Sequence, residues 1–345
     1  MSGGYQAVLD AQQEGVKAIA EAAPDAATGE EGEAYLARLS AWIIEGMLPP
    51  PSAPEPGFSY NRFLMAGANP ECRLGQILLD PAARYRIQGI RNGADRIAFG
   101  LYTPTPDAGL QLDGYMTLDE LESTADGQFS LQIAPETSDT TPPPSERALS
   151  MKPTTRILMV REIYRLGSAS LAELSVTRSG GAEVTSPDDS SAAPEARLQA
   201  AAARIGAMLH QYLRWSEVFA ERPNEMTQMS SELDDAVRGD PETRYFSGYF
   251  DLGPRDYLEI EIPKVACDYW MIQANSHWLE PIAGAHRNDA TANPDSDGAI
   301  RIRISASEGD KPNWLDTAGR TRGTILYRTI GASENVIPVA RIVRR

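Results

Sequence analysis

GQILLDPAARYRI (residues 75–87) returns as GYFDLGPRDYLEI (248–260), with glycine and proline six positions apart in both. Outward from this pair the match continues in order. DGQFSLQI (126–133) is answered by DGAIRIRI (297–304), and ILMVREIYR (157–165) by TILYRTI (324–330). Each run then closes on a β-rich tail, AELSVTR or PVARIVR. Pro81 to Asp126 is 45 positions and Pro254 to Asp297 is 43, while Asp126 to Arg161 is 35 and Asp297 to Arg328 is 31. Ordered recurrence with small length differences is what loop variation between two copies of one unit leaves behind.

The runs themselves read as strands. RYRIQGI, RIAFGLYT, QFSLQIA, RILMVREIY and LAELSVT are short, rich in branched and aromatic residues, and bounded by Gly, Pro, Asn and Asp. Alternation with period two marks half-buried strands, and their spacing suggests a sandwich or jelly roll rather than a parallel sheet. Helix is expected over 5–47, where apolar residues recur at three- and four-residue spacing, with Gly29 and Gly32 punctuating the middle. A second helix follows Pro194, with Leu198, Ala201, Ile205, Leu209, Tyr212, Trp215 and Phe219 on one stripe. Such a stripe must be buried, and it is expected either between the two β units or on one of them alone.

The fold class expected is therefore mainly β with helices (α+β): two tandem β-sandwich or jelly-roll-like units related by internal repeat, an N-terminal helical segment and a long linking helix. The boundaries read are 1–57 for the helical segment and proline-rich linker, 58–178 for the first β unit, 179–230 for hinge and helix, and 231–345 for the second β unit.

Composition narrows the partners. A chain of 345 residues suits two domains. A formal charge of −16 repels phosphate backbones and anionic lipid, so neither nucleic acid nor membrane is expected as a partner. There is no apolar run long enough to span a bilayer and no basic, then apolar, leader pattern, so a cytoplasmic location is expected. Two cysteines, Cys72 and Cys267, read as reduced structural thiols. Sheet edges and an apolar helix stripe make a homo-oligomer reasonable.

Chemistry concentrates in the second unit. YWMIQANSHWLEPIAGAHRNDATANPDSDG (269–298) holds two of the three histidines, His277 and His286, with Glu280, Asn288 and Asp289 close by. Histidine titrates near neutrality, so imidazoles beside carboxylates suit acid and base roles. The spacing of His277, Glu280, His286 and Asp289 matches no recognised metal pattern, so no metal is expected. PNWLDTAG (312–319) adds Asn313, Trp314 and Asp316, an aromatic face and a carboxylate before a glycine turn. No GxGxxG, P-loop, nucleophile elbow or CxxC pair occurs, so no cofactor is expected.

SHWLEP (276–281), HRNDATA (286–292) and above all NWLDTAGRTRGTILYR (313–328) resemble a bacterial family known as domain of unknown function 1214. NPECRLGQILLDPAARYRIQG (69–89) and ADGQFSLQIAPE (125–136) resemble the related 1254-like β unit that often precedes it. The resemblance implies tandem β-sandwich units with helical elements, and it supplies no reaction. In the family pattern a histidine often follows NWLDTAG; here Arg320 stands there, so the chain either does something else or uses His277 or His286 instead.

Two functions are expected to compete. One is a cofactor-independent lyase, isomerase or hydrolase acting on a small, largely apolar metabolite between the β units. In it His277, Glu280, His286, Asp289 and Asp316 supply acid, base or anchor, and Trp278, Asn288, Asn313 and Trp314 line the pocket. The other is a non-catalytic small-molecule-binding or assembly protein, in which those residues serve turns and core.

Overall fold

The computed structural model describes residues 2–48, 57–105, 109–121, 124, 126–136, 147–180, 194–230, 240–306 and 312–344. The expected proline-rich linker at 49–56, the SDTTPPPSE loop at 138–146 and the hinge over 181–193 lie outside the described residues.

The chain opens with α1 (Gly3–Ala22) and α2 (Ala26–Met47). The break between them falls at 23–25 rather than at the glycines. Ala23, held extended before Pro24, ends α1, and the Asp25 carboxylate accepts the Thr28 N–H at 2.8 Å to cap α2. Gly32 lies inside α2 for a packing reason: a Cβ there would stand 2.7 Å from the Trp278 ring.

Eighteen strands follow among the described residues, in two sets of nine. The first set is β1 (Ser59–Tyr60), β2 (Cys72–Leu78), β3 (Arg84–Ile90), β4 (Arg96–Pro104), β5 (Leu110–Thr117), β6 (Gln128–Pro135), β7 (Ala148–Met151), β8 (Ile157–Ile163) and β9 (Glu173–Ser179). The second is β10 (Met226–Gln228), β11 (Thr243–Asp251), β12 (Tyr257–Glu261), β13 (Tyr269–Asn275), β14 (Pro281–Asn288), β15 (Arg301–Ser305), β16 (Trp314–Asp316), β17 (Arg322–Ile330) and β18 (Val339–Val343). Between the sets comes α3 (Pro194–Ala220).

Strand order is β1-β2-β8-β4-β5 and β7-β6-β3-β9 in the first set. Adding nine to each number gives the orders of the second, β10-β11-β17-β13-β14 and β16-β15-β12-β18. Pairing is antiparallel except at β6–β7 and β15–β16, which are parallel. Local turns agree as well. Gly127 and Gly298, after Asp126 and Asp297, both take φ 78°, a conformation that favours glycine, and lead into β6 and β15. One register differs: Gly75 opposes Val160, one residue before Arg161, whereas Gly248 opposes Ile325, three before Arg328. A shift of two keeps every side chain on its face.

In each set the two sheets share one core. Ile77, Phe99, Leu101, Leu158 and Val160 from the five-stranded sheet meet Ile87, Leu131, Ile133 and Leu149 from the four-stranded one. Phe246, Phe250, Ile272 and Ile325 meet Leu258, Ile260, Ile302 and Ile304 in the second. Each such side chain contributes about 1.5–3 kcal/mol when buried. The architecture is thus α+β, mostly strand, with β-sandwiches.

A third core is helical, and it decides between the two places expected for α3. Ala201, Ile205, Leu209, Tyr212, Trp215 and Phe219 pack with α1, α2 and the outer face of the second five-stranded sheet, through Tyr249 and Leu326. The stripe is buried against one β set together with the N-terminal helices. Residues 1–48, 63–70 and 194–345 accordingly form one compact body and 49–62 with 71–193 another, which differs from the four segments read from the sequence. No helix among the described residues is long and apolar enough to cross a membrane.

Candidate functional site

The β13–β14 turn carries the first group of residues picked from the sequence. Ser276 holds it: its hydroxyl accepts the N–H groups of Trp278 (3.2 Å) and Glu280 (3.3 Å), and Leu279 takes φ 61° to close it. His277 and Trp278 are thereby pushed into the helical layer. The Trp278 ring, 1% exposed, stacks on Tyr35 at 6.4 Å and donates its N–H to the Thr28 carbonyl at 3.0 Å. Glu280 takes both arms of the Arg38 guanidinium, at 2.7 and 2.5 Å. Sequence distance hides such a bidentate pair, which joins the β13–β14 turn to α2.

His277 is buried with both ring nitrogens engaged. Nδ1 lies 2.7 Å from the Tyr249 hydroxyl, and the ring also hydrogen-bonds the Ala22 backbone at the end of α1. Burial holds this imidazole below the ordinary histidine value despite the pull of that bond and of the Glu31 and Asp25 carboxylates, and Arg322 adds to the lowering. Burial pushes Tyr249 up to about 12. Around them Arg322 bridges Asp251 (3.0 Å) and Asp25 (3.3 Å), and Arg320 pairs with Glu31. Arg320 therefore ties the loop after β16 to α2.

The remaining picks are held by other bonds. His286 lies on β14 opposite Gln273, its ring also lowered, first by burial and then by Arg287. The Asn288 side-chain Oδ1 accepts the N–H groups of Ala290 and Thr291, both at 2.8 Å, and so caps the turn in which Asp289 sits. Asn313, at φ 57°, donates to the carbonyl of Asn293 (2.7 Å) and accepts that residue's N–H (2.8 Å). Trp314 is buried against Tyr257, ring centroids 5.3 Å apart. Asp316 is exposed and accepts the Ala318 N–H at 2.8 Å. The structure unites His277, Trp278 and Glu280 at one turn, and it has Trp314 and Asp316 on β16 with Asn313 just before it; the Trp314 carbonyl accepts from Arg287 at 3.1 Å. His277 and Asp316 do not meet. No group of three His, Cys, Asp or Glu side chains among the described residues could hold a metal ion.

Both histidines are held neutral relative to an ordinary value of 6.5, so the unfolded chain takes up more protons as pH falls through that value. Stability contributed here is complete above about pH 6.5 and declines below it. Urea midpoints should drop between pH 7.5 and 5.5, and His277→Gln should flatten that slope. An unchanged slope would mean that His277 does not carry it.

Two polar clusters escaped the sequence reading. On the outer face of β13 and β17, under residues 63–70, Gln273 is fully buried; its amide nitrogen donates to the carbonyls of Gly67 (3.2 Å) and Ala68 (3.2 Å) and to Asn275 Oδ1 (2.6 Å). Asn275 donates to Thr324 Oγ1 at 3.2 Å. Gly67, at φ 68°, lies so close that a Cβ would fall 2.1 Å from Leu326. Its carbonyl also accepts from Arg328 Nη2 at 2.7 Å. Arg328 is only 6% exposed, and its guanidinium lies 5.7 Å from the Tyr245 ring centroid. Arg328 Nε and Gln273 Oε1 have no hydrogen-bond partner among the described residues. The available signal was in YWMIQAN (269–275), where Gln273 and Asn275 stand two positions apart in an otherwise apolar strand.

The other cluster lies in the first sandwich. Glu162, fully buried, accepts the hydroxyls of Tyr60 (2.7 Å) and Tyr164 (2.6 Å) and faces Arg73 at 3.4 Å. Burial first, then the bond to Glu162, raises Tyr164 to about 12. The Arg73 guanidinium sits 3.4 Å from the Tyr60 ring centroid. Every group here is satisfied, as in a structural lock.

No family model matches the chain, and no curated protein does. Among solved structures, it is similar to an uncharacterised protein from Burkholderia cenocepacia, at 24% identity and TM-score 0.84, covering 99% of this chain and 96% of that one. It is also similar to the VPA0106 protein from Vibrio parahaemolyticus, at 15% identity and TM-score 0.50, covering 90% of this chain and 98% of that one. At these identities the likeness is one of fold, shared along nearly the whole length of all three chains.

Proposed function

We propose that this protein is a non-catalytic small-molecule-binding protein built from two copies of one jelly-roll-like unit, of which the second carries the ligand on the outer face of β13 and β17. The nine-strand shift in sheet order supports the duplication. The family relation read in NWLDTAG (313–319) belongs to the same proposal.

One observation carries the binding reading: buried polar groups with unused hydrogen-bonding capacity, Gln273 and Arg328, stand side by side on a face otherwise lined by Leu326 and Tyr245. An unsatisfied buried polar atom costs about 1–3 kcal/mol, and an unpaired buried charge several more. A partner that satisfies both recovers that cost. The acid/base reading draws support only from the Tyr249–His277 contact, since Glu280 is matched by Arg38 and Asp316 caps a turn.

A thermal-shift screen of the purified protein against small metabolites tests the proposal. Ligands that raise Tm in the wild type should lose at least ten-fold in affinity in Gln273→Met and keep it in His277→Gln. The reverse pattern would return the site to the β13–β14 turn and favour the enzyme.

A further inference from the structure

Gln273 and Arg328 sit on neighbouring strands of one face. Gln273 opposes Leu326 and Arg328 opposes Met271, which makes them diagonal neighbours about 7–8 Å apart at the backbone. The orientation of the Gln273 amide is fixed. Its nitrogen meets three oxygens, those of Gly67, Ala68 and Asn275, so Oε1 is turned away from them and is an acceptor without a donor.

Arg328 offers the opposite polarity. Only Nη2 is bonded, to the Gly67 carbonyl, and Nε is a buried donor without an acceptor. Among the described residues no carboxylate pairs with this guanidinium, while Arg38, Arg303, Arg320 and Arg322 in the same body are all paired. The Tyr245 ring face offsets part of the cost of its burial but supplies no negative charge. A guanidinium presents its Nε and Nη edge as a fork matched to a carboxylate.

Resting on the binding reading above, we propose that the ligand is a small carboxylic acid bearing a hydroxyl or amino group: its carboxylate takes the Arg328 fork and its O–H or N–H donates to Gln273 Oε1. A single unpaired guanidinium matches one negative charge, which favours a monocarboxylate over a phosphate dianion. Leu326 and Tyr245 would flank a short carbon frame.

The test is calorimetric titration of the full chain at pH 7.5 with lactate, 2-hydroxybutyrate and serine, with butyrate lacking the donor, with propane-1,2-diol lacking the carboxylate, and with inorganic phosphate. At least one hydroxy or amino acid should bind, and deleting either group should weaken binding ten-fold or more. Arg328→Met should abolish it, Arg328→Lys should retain a fraction, and Gln273→Met should reduce the hydroxy or amino acid to the level of butyrate. Circular dichroism of each variant identifies any that fails to fold, and Arg328→Lys then decides. Carboxylates that bind wild type and Arg328→Met alike, or phosphate as the tightest probe, would overturn the inference. If none of the acids binds while a neutral metabolite from the thermal-shift screen does so in a Gln273-dependent way, the binding reading stands and the carboxylate falls. If nothing binds, both fall.

Discussion

Trp278→Ala should lower stability by about 3–5 kcal/mol, the cost of emptying a buried aromatic site. The ring is almost wholly enclosed, stacked on Tyr35, fitted beneath Gly32 and bonded to the Thr28 carbonyl. Its removal leaves a cavity between α2 and the β13–β14 turn and takes away the indole N–H bond to the Thr28 carbonyl. Against a typical total of about 5–15 kcal/mol, that is a large fraction. Urea denaturation followed by far-UV circular dichroism should show the midpoint falling, with helical signal lost first. Trp278→Phe should cost less, since it keeps most of the apolar volume and forfeits only the N–H bond. A loss below about 1 kcal/mol for the alanine variant would contradict the wedge role.

Glu162→Ala should cost about 3 kcal/mol, and from the other compact body. Two phenols lose their acceptor, at about 1–3 kcal/mol for each buried group left unpaired. Arg73 contributes less, because about a third of its side chain is in solvent and its charge is screened. The readout separates the bodies. All five tryptophans, at 42, 215, 270, 278 and 314, lie outside residues 49–62 and 71–193. The Glu162 variant should therefore shift the dichroism transition while tryptophan fluorescence keeps its wild-type midpoint. Coincident shifts in both signals would show that Glu162 stabilises more than its own sandwich.

That the chain is mostly strand with helices was legible because its punctuation is physical. Gly127 and Gly298 recur since their backbone takes a positive φ, and the apolar alternation between such turns fixes which face of each strand is buried. The partner of α3 was not legible: an amphipathic stripe states that a helix is covered, not by what. The helix break at 23–25 was missed because Gly32 resembles punctuation, while its absent side chain makes room for Trp278 across 246 positions of sequence.

The site was harder for a related reason. Histidines stand out by rarity, yet His277 and Glu280 are defined by Tyr249, Ala22 and Arg38, partners that only the tertiary fold supplies. Arg328 looked like a repeat marker matched to Arg161. Its meaning lies in what surrounds it. Arg161 donates to the Tyr102 hydroxyl at 3.0 Å in the first sandwich, whereas Arg328 meets a backbone carbonyl and a ring face. Near-equivalent positions in the two sets thus carry different local chemistry.

The most direct measurement is a crystal structure of the full chain grown with the tightest-binding probe from the titrations. The account predicts density for that molecule on the outer face of β13 and β17, with its carboxylate at Arg328 Nε and a donor on Gln273 Oε1. Ordered water alone at both atoms, with the probe bound beside His277 or elsewhere, would contradict it.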